Sequence, residues 1–220
     1  MRKLFWENTY LDRITTSVIE IDENKVLFKE TIAYSFSGGQ ESDTCYINGL
    51  LVLESKMIDN LIYYTLPDQH GLSVGDIVTM EIDWPRRYRL MRMHFAAELI
   101  LEIVTQRFSF GKVGAHIAEN KSRIDFVCPQ NISTFFDEIL TEYNAIIKAD
   151  HMIQTGFTDI ETQKRFWKIA GFAQVPCGGT HVKSTAEVGL MTLKRVGLGK
   201  SRERIDIKPL EDLMVPSFNL

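Results

Sequence analysis

The stretch Ile77-Val78-Thr79-Met80-Glu81-Ile82-Asp83-Trp84-Pro85-Arg86-Arg87-Tyr88-Arg89-Leu90-Met91-Arg92-Met93-His94-Phe95-Ala96-Ala97-Glu98 changes character half-way along, and that change divides the chain. Residues 77–82 read as a short strand. From Pro85 onward, Leu90, Met93, Ala97, Leu101 and Val104 fall near one helical stripe, with a proline acceptable near the helix start. Upstream lie further short strand patterns at 15–21, 26–31, 44–47, 50–53 and 61–65. Turn signals separate them: Asp22-Glu23-Asn24-Lys25, Ser73-Val74-Gly75-Asp76 and, strongest, the hairpin pair Asn48-Gly49. Strands this short and this many suggest a small barrel over residues 1–85.

Downstream the pattern is mixed. Thr134-x-x-Asp137 resembles a capping box, so a second helix is expected from Thr134 to about Lys148, with Phe135, Ile139, Tyr143 and Ile146 inward. Residues 172–175, 189–196 and 204–207 read as strands. The expected fold is therefore α+β: a small N-terminal β-barrel domain over 1–85, then an α+β domain over 86–220. No apolar run of membrane-spanning length occurs, and the N-terminus reaches Glu7 before any apolar signal region forms. Cys45, Cys128 and Cys177 cannot all pair, which fits a reducing, cytoplasmic setting.

A net charge of −4 conceals an asymmetry. Residues 1–85 hold 6 Lys/Arg against 14 Asp/Glu, and residues 86–220 hold 19 against 15. The positive charge gathers in Arg86, Arg87, Arg89 and Arg92, and again in Lys194, Arg195, Lys200, Arg202 and Arg204. Either cluster offers phosphate contacts, or is a solvated face.

Two pairs of side chains carry the chemistry. His94 and Glu98 stand at i and i+4 on the expected helix, so they share a face with Cβ atoms about 5–6 Å apart. Cys177-Gly178-Gly179-Thr180-His181 sets a thiol and an imidazole four residues apart across two glycines that let the backbone turn sharply. A mixed nitrogen, sulfur and oxygen set suits Zn²⁺, one ion per chain if the fold unites the pairs. The amides of Gly178 and Gly179 could also stabilise a developing oxyanion, or simply belong to a tight loop. Cys177 is better read as ligand than as nucleophile, although a Cys–His pair with His181 stays open.

These residues resemble a known family. The run 83–94, then Gly114-Ala115-His116-Ile117 with Arg123-Ile124-Asp125-Phe126, then Cys177-Gly178-Gly179-Thr180-His181-Val182 and Glu187-Val188-Gly189, are similar to AlaX, a family of free-standing relatives of the alanyl-tRNA synthetase editing domain. The likeness extends to Thr31-Ile32-Ala33-Tyr34-Ser35-Phe36-Ser37-Gly38-Gly39-Gln40 with Asp43-Thr44, which resembles the family's glycine-rich loop. A barrel joined to an editing core resembles the medium-length form. The resemblance implies a zinc-dependent aminoacyl-tRNA deacylase acting in trans on tRNA(Ala) mischarged with serine, or with glycine, through a zinc-bound water. It implies zinc ligation by His94, Cys177 and His181. The family's usual second histidine is replaced here by Glu98, which leaves Glu98 as a fourth ligand or as a catalytic base. Ser37 and Glu41 also depart from the glycine and proline usual in the loop, while Gly38, Gly39 and Gln40 remain.

For substrate binding the resemblance points to Thr31, placed to sense a serine hydroxyl, with Gln40 and His116 about the pocket. The phosphates are expected at Arg86, Arg87 and Arg92. A site that hydrogen-bonds the hydroxyl would reject alanine more strongly than size alone allows. The competing readings are a noncatalytic tRNA-binding or zinc-stabilised homologue that has lost turnover, and a zinc hydrolase of another acyl ester.

Overall fold

The computed structural model describes residues 1–211, and residues 212–220 lie outside the described residues. The chain is α+β with strands predominating, and it forms two compact units: Met1–Ser37 with Glu41–Arg87, and Gly38–Gln40 with Tyr88 onward. The short Gly38–Gln40 segment thus packs with residues far beyond it in sequence.

The first unit contains β1 (Arg2–Lys3), β2 (Arg13–Asp22), β3 (Lys25–Phe28), β4 (Glu30–Thr31), β5 (Cys45–Ile47), β6 (Leu50–Leu51), β7 (Glu54–Ile58), β8 (Leu61–Thr65) and β9 (Ile77–Ile82). Seven of them form one sheet in the order β6-β5-β9-β2-β3-β8-β7. The hairpin expected at Asn48-Gly49 joins β5 to β6, and both residues have positive φ, at 48° and 81°, as a type I′ turn requires. Strand β7 has no counterpart in the sequence reading, because its burial alternates only between exposed and half-buried. The two edge strands, β6 and β7, are joined by Val52 and Leu53 alone. So short a link, at most about 11 Å of chain, forces the edges towards each other and curls the sheet. Their ladder is closed by the covalent chain and not by strand pairing. Inside lie Val18, Val26, Phe28, Ile47, Ile62, Tyr64, Val78 and Met80.

Helix α1 (Trp84–Phe108) follows, and its first turn counts with the first unit. From Leu90 to Ile100 every residue but Glu98 is buried, so this stretch of the helix is covered all round and has no single inward stripe. The second unit continues with β10 (Gly111–Ile117), β11 (Ser122–Val127), α2 (Phe136–Ala149), β12 (Gln154–Asp159), β13 (Lys164–Ile169), β14 (Ala173–Pro176), α3 (Thr185–Val188), β15 (Met191–Gly199) and β16 (Arg202–Pro209). One antiparallel sheet runs β10-β11-β16-β15, and a second runs β12-β13-β14. The sequence reading of a capping box at Thr134 is corrected. A 3-10 turn over Ile132–Phe135 comes first, and Asn131 caps it by accepting the Ser133 N–H. Asn competes well at an N-cap, so the helical segment starts earlier than the Thr134 pattern suggests. No helix among the described residues is long and apolar enough to cross a membrane.

Candidate metal centre

His94 and Glu98 project from the middle of α1, while Cys177 and His181 flank the loop that leaves β14. Cys177 is fixed by its own N–H, which donates to the Arg165 carbonyl at 2.9 Å and prolongs the β13–β14 ladder. The loop then returns His181 against the Phe95 ring, edge-on with centroids 5.4 Å apart. Gly179 permits this return. A Cβ there would stand 1.9 Å from His94 Cε1, so any side chain would collide with the imidazole.

The result is a convergence of three donors. The ligand atoms of His94, Cys177 and His181 all lie within 4.8 Å of one another. The Cys177 Sγ is 3.5 Å from His94 Nε2 and 3.3 Å from His181 Nε2. Tetrahedral zinc with ordinary Zn–S and Zn–N bonds would set sulfur and nitrogen about 3.6 Å apart. The donor set, a thiol and two imidazoles, therefore fits zinc in its chemistry and in its two sulfur–nitrogen distances.

Charge in the site follows from the same neighbours. Burial pushes the Cys177 thiol up, but His94 and His181 more than offset it and bring the thiol down to about 6. Burial pushes His94 down, and Cys177 and Glu98 more than offset that, raising it to about 10. Burial also opposes ionisation of Glu98, but the bonds from His94 and Trp167 hold it down at about 2. Cys177 and Glu98 thus both favour positive charge at this spot, which a divalent cation can supply.

The chain is similar to the alanyl-tRNA editing protein AlaX-M of Pyrococcus horikoshii, 32% identical over 211 residues that span 94% of this chain and 96% of the relative. The chain belongs to the AlaX-M family. The AlaX-M of Saccharolobus solfataricus is 29% identical over 94% of this chain and 99% of its own length. An alanine–tRNA ligase from Sulfurisphaera tokodaii is 26% identical over 89% of this chain, which corresponds to 24% of that longer protein. No protein-family model matches the chain.

Within this AlaX-M chain the glycine-rich loop serves the donor cluster. Gln40, expected at the substrate, is fully buried, and its Oε1 accepts from His94 Nδ1 at 2.6 Å and from the Thr180 N–H at 3.2 Å. Its Nε2 donates to Thr180 Oγ1 at 2.9 Å. With its proton held on Nδ1, His94 presents Nε2 as the donor atom. Gly39 brings Gln40 there by close backbone approach: a Cβ would fall 2.7 Å from the Ala115 carbonyl oxygen, and φ is +92°. Thr180 and Trp167 were not anticipated. Trp167 Nε1 donates to Glu98 Oε2 at 2.8 Å, leaving Oε1 3.6 Å from His94 Nε2. Glu98 thus borders the cluster without joining the three mutually close donors. We expect Gln40→Ala to weaken zinc affinity about 10- to 100-fold, as loss of such a supporting hydrogen bond does elsewhere. Competition titration against a chelator checks this, and an unchanged dissociation constant would exclude the orienting role.

Other expected site residues are placed elsewhere. Thr31 lies in the first unit, fully buried, and its hydroxyl accepts from the Ala33 N–H at 3.0 Å and contacts Tyr64 Oη at 2.6 Å. The Tyr64 hydroxyl also lies 2.8 Å from the Ala33 carbonyl. The Thr31 hydroxyl is thus already engaged within that unit's core. His116, half-buried on β10, is paired in register with Arg123. Arg86 pairs with Glu41 at 2.7 Å. The expectation of a phosphate-binding surface is corrected at Arg87 and Arg92. Arg87 is wholly buried, forked onto Asp43, and donates to the carbonyls of Thr9 and Ile32. Arg92 is buried and donates to the Val188 carbonyl at 3.2 Å. Both guanidiniums are committed to the interior.

Proposed function

We propose that this chain hydrolyses the ester between a wrong amino acid and tRNA(Ala), acting in trans, with serine or glycine as the amino acid removed. The observation that carries this reading is the convergence of His94 Nε2, His181 Nε2 and Cys177 Sγ in a chain of the AlaX-M family. His94, Cys177 and His181 would hold one zinc ion. Bound zinc would supply polarisation of the ester carbonyl and a more acidic water.

The remaining chemistry belongs to the protein. Gln40 fixes the His94 tautomer and ring plane. His94 and Trp167 together keep Glu98 ionised, and Trp167 fixes its Oε2, so that Oε1 lies 3.6 Å from His94 Nε2 beside the donor cluster. Glu98 would orient the attacking water, take up its proton as the carbonyl carbon is attacked, and pass that proton to the ribose oxygen as its bond to the acyl carbon breaks. An aminoacyl ester has a better leaving group than an amide, so no covalent nucleophile is needed, and Cys177 acts as a ligand. The position of Glu98, tied to Trp167 and outside the mutually close donors, favours the base over a fourth ligand.

Deacylation of tRNA(Ala) charged with serine, glycine or alanine tests the reading. Hydrolysis of the seryl ester faster than the alanyl ester is expected, with activity lost on chelation and restored by zinc. Glu98→Gln should retain zinc and slow turnover about 100- to 10,000-fold. A chelated protein that keeps full activity would discard the mechanism, and loss of zinc in Glu98→Gln would make Glu98 a ligand.

A further inference from the structure

The outer face of the β10-β11-β16-β15 sheet concentrates positive charge that no single stretch of sequence displays. Alternation along β16 puts Arg202, Arg204, Asp206 and Lys208 on one face and Glu203, Ile205 and Ile207 on the other. The isoleucines are buried, so the first set faces outward. Register then recruits the neighbours: Lys194 of β15 and Arg123 of β11 both stand opposite Asp206, and Asp125 stands opposite Arg204. Arg195, adjacent to Lys194 in sequence, falls on the inner face with Glu203.

The acidic residues on this face lie low, beneath the basic ones. Asp125 accepts from Arg204 Nε at 2.6 Å and Arg123 Nη1 at 3.0 Å, and Asp206 accepts Lys121 Nζ at 2.7 Å. The side chains of Asp125 and Asp206 are only 15% and 9% exposed, against 35% for Arg123 and 44% for Lys121. The two carboxylates brace cations that reach solvent. Lys194, Arg202 and Lys208 are exposed, and none of them pairs with a carboxylate among the described residues. Six cations over two carboxylates therefore cover about 20 Å along β16 and about 10 Å across three strands.

We infer that this face docks the phosphate backbone of double-helical RNA. The inference rests on the proposed action on tRNA and assigns it a surface. Rows of cations about 5 Å apart on a rigid sheet suit a polymer of regularly spaced anions, and braced guanidiniums form two-pronged bonds to phosphate. Duplex RNA offers phosphates and 2′-hydroxyls across a wide, shallow groove, which a flat platform can meet.

The test is the full-length triple variant Lys194→Ala/Arg202→Ala/Lys208→Ala, titrated with tRNA(Ala) transcript at several salt concentrations. Affinity at low salt should fall on the order of 10- to 100-fold, and the log–log salt slope should flatten by about three. A control triple, Lys148→Ala/Lys164→Ala/Lys168→Ala, removes the same charge elsewhere on this unit and should change affinity less than about threefold. If the first triple unfolds, Lys194→Ala and Arg202→Ala singly should each flatten the slope by about one. Equal losses in both triples, or an unchanged first triple in a protein whose wild type deacylates tRNA, would overturn the surface and leave the function standing. A wild type that neither binds nor deacylates tRNA would overturn both. Lys194-dependent binding to phosphatidylserine vesicles with no effect on tRNA would assign the face to a membrane instead.

Discussion

Replacing Gly179 by alanine is expected to empty the donor cluster of zinc. The new Cβ would stand 1.9 Å from His94 Cε1, 2.3 Å from Nδ1 and 2.8 Å from Gln40 Oε1. Both neighbours are buried and hydrogen-bonded to each other, so neither can step aside cheaply. The ring must leave its position, losing both the Gln40 bond and its aim at Cys177. Overpacking alone costs about 1–3 kcal/mol. Loss of the ligand's orientation should lower activity by about a hundredfold or more. Gly178→Ala is the matched control, because a Cβ there meets nothing within 4 Å. Zinc per chain by elemental analysis, beside seryl-tRNA deacylation, reads the outcome. If Gly179→Ala keeps one zinc and its rate, or Gly178→Ala loses zinc equally, the packing account fails.

Arg87→Ala should be the most damaging change to stability in the first unit. Neither Arg87 nor Asp43 has any exposed side-chain surface. Removing the guanidinium strands the Asp43 carboxylate in the interior with only its N–H bond from Tyr34, and strips donors from the Thr9 and Ile32 carbonyls. Breaking a buried pair by deleting one partner costs about 3–5 kcal/mol. A domain has about 5–15 kcal/mol in all, so the variant should unfold early in urea. Arg87→Met with Asp43→Leu should recover much of the loss, since no charge is then left buried. A single-variant loss below about 1 kcal/mol would show that Asp43 finds other partners.

What the sequence revealed, and what it hid, follows the range of each interaction. The Asn48-Gly49 turn and the strand at 77–82 are local, and their residues announce them through backbone preference. His94, Cys177 and His181 were visible because i and i+4 spacing is itself a local rule. Gln40 could be singled out only through the glycine-rich loop, and its bond to His94 spans 54 residues that no periodicity links. Trp167 lies 69 residues from Glu98, and an indole in a strand pattern carries no mark of a hydrogen bond to a distant carboxylate. The arginines show the opposite error. Arg86 to Arg92 look like one surface cluster in the chain, yet the helix turns Arg87 and Arg92 inward, while the pleat of β16 gathers scattered cations onto one face.

The span of the donor cluster also sets a schedule for biosynthesis. Its parts come from the Gly38–Gln40 segment, α1, β13 and the loop after β14, and the Gln40–Thr180 bond alone closes 140 residues. Contacts so distant in sequence form slowly, because their loop entropy must be met before they give any return. Gln40 must therefore wait for most of the chain to leave the ribosome before it meets Thr180. A nascent or truncated chain offers at most an incomplete clasp, so high-affinity metal uptake should mark the end of maturation and separate finished molecules from unfinished ones.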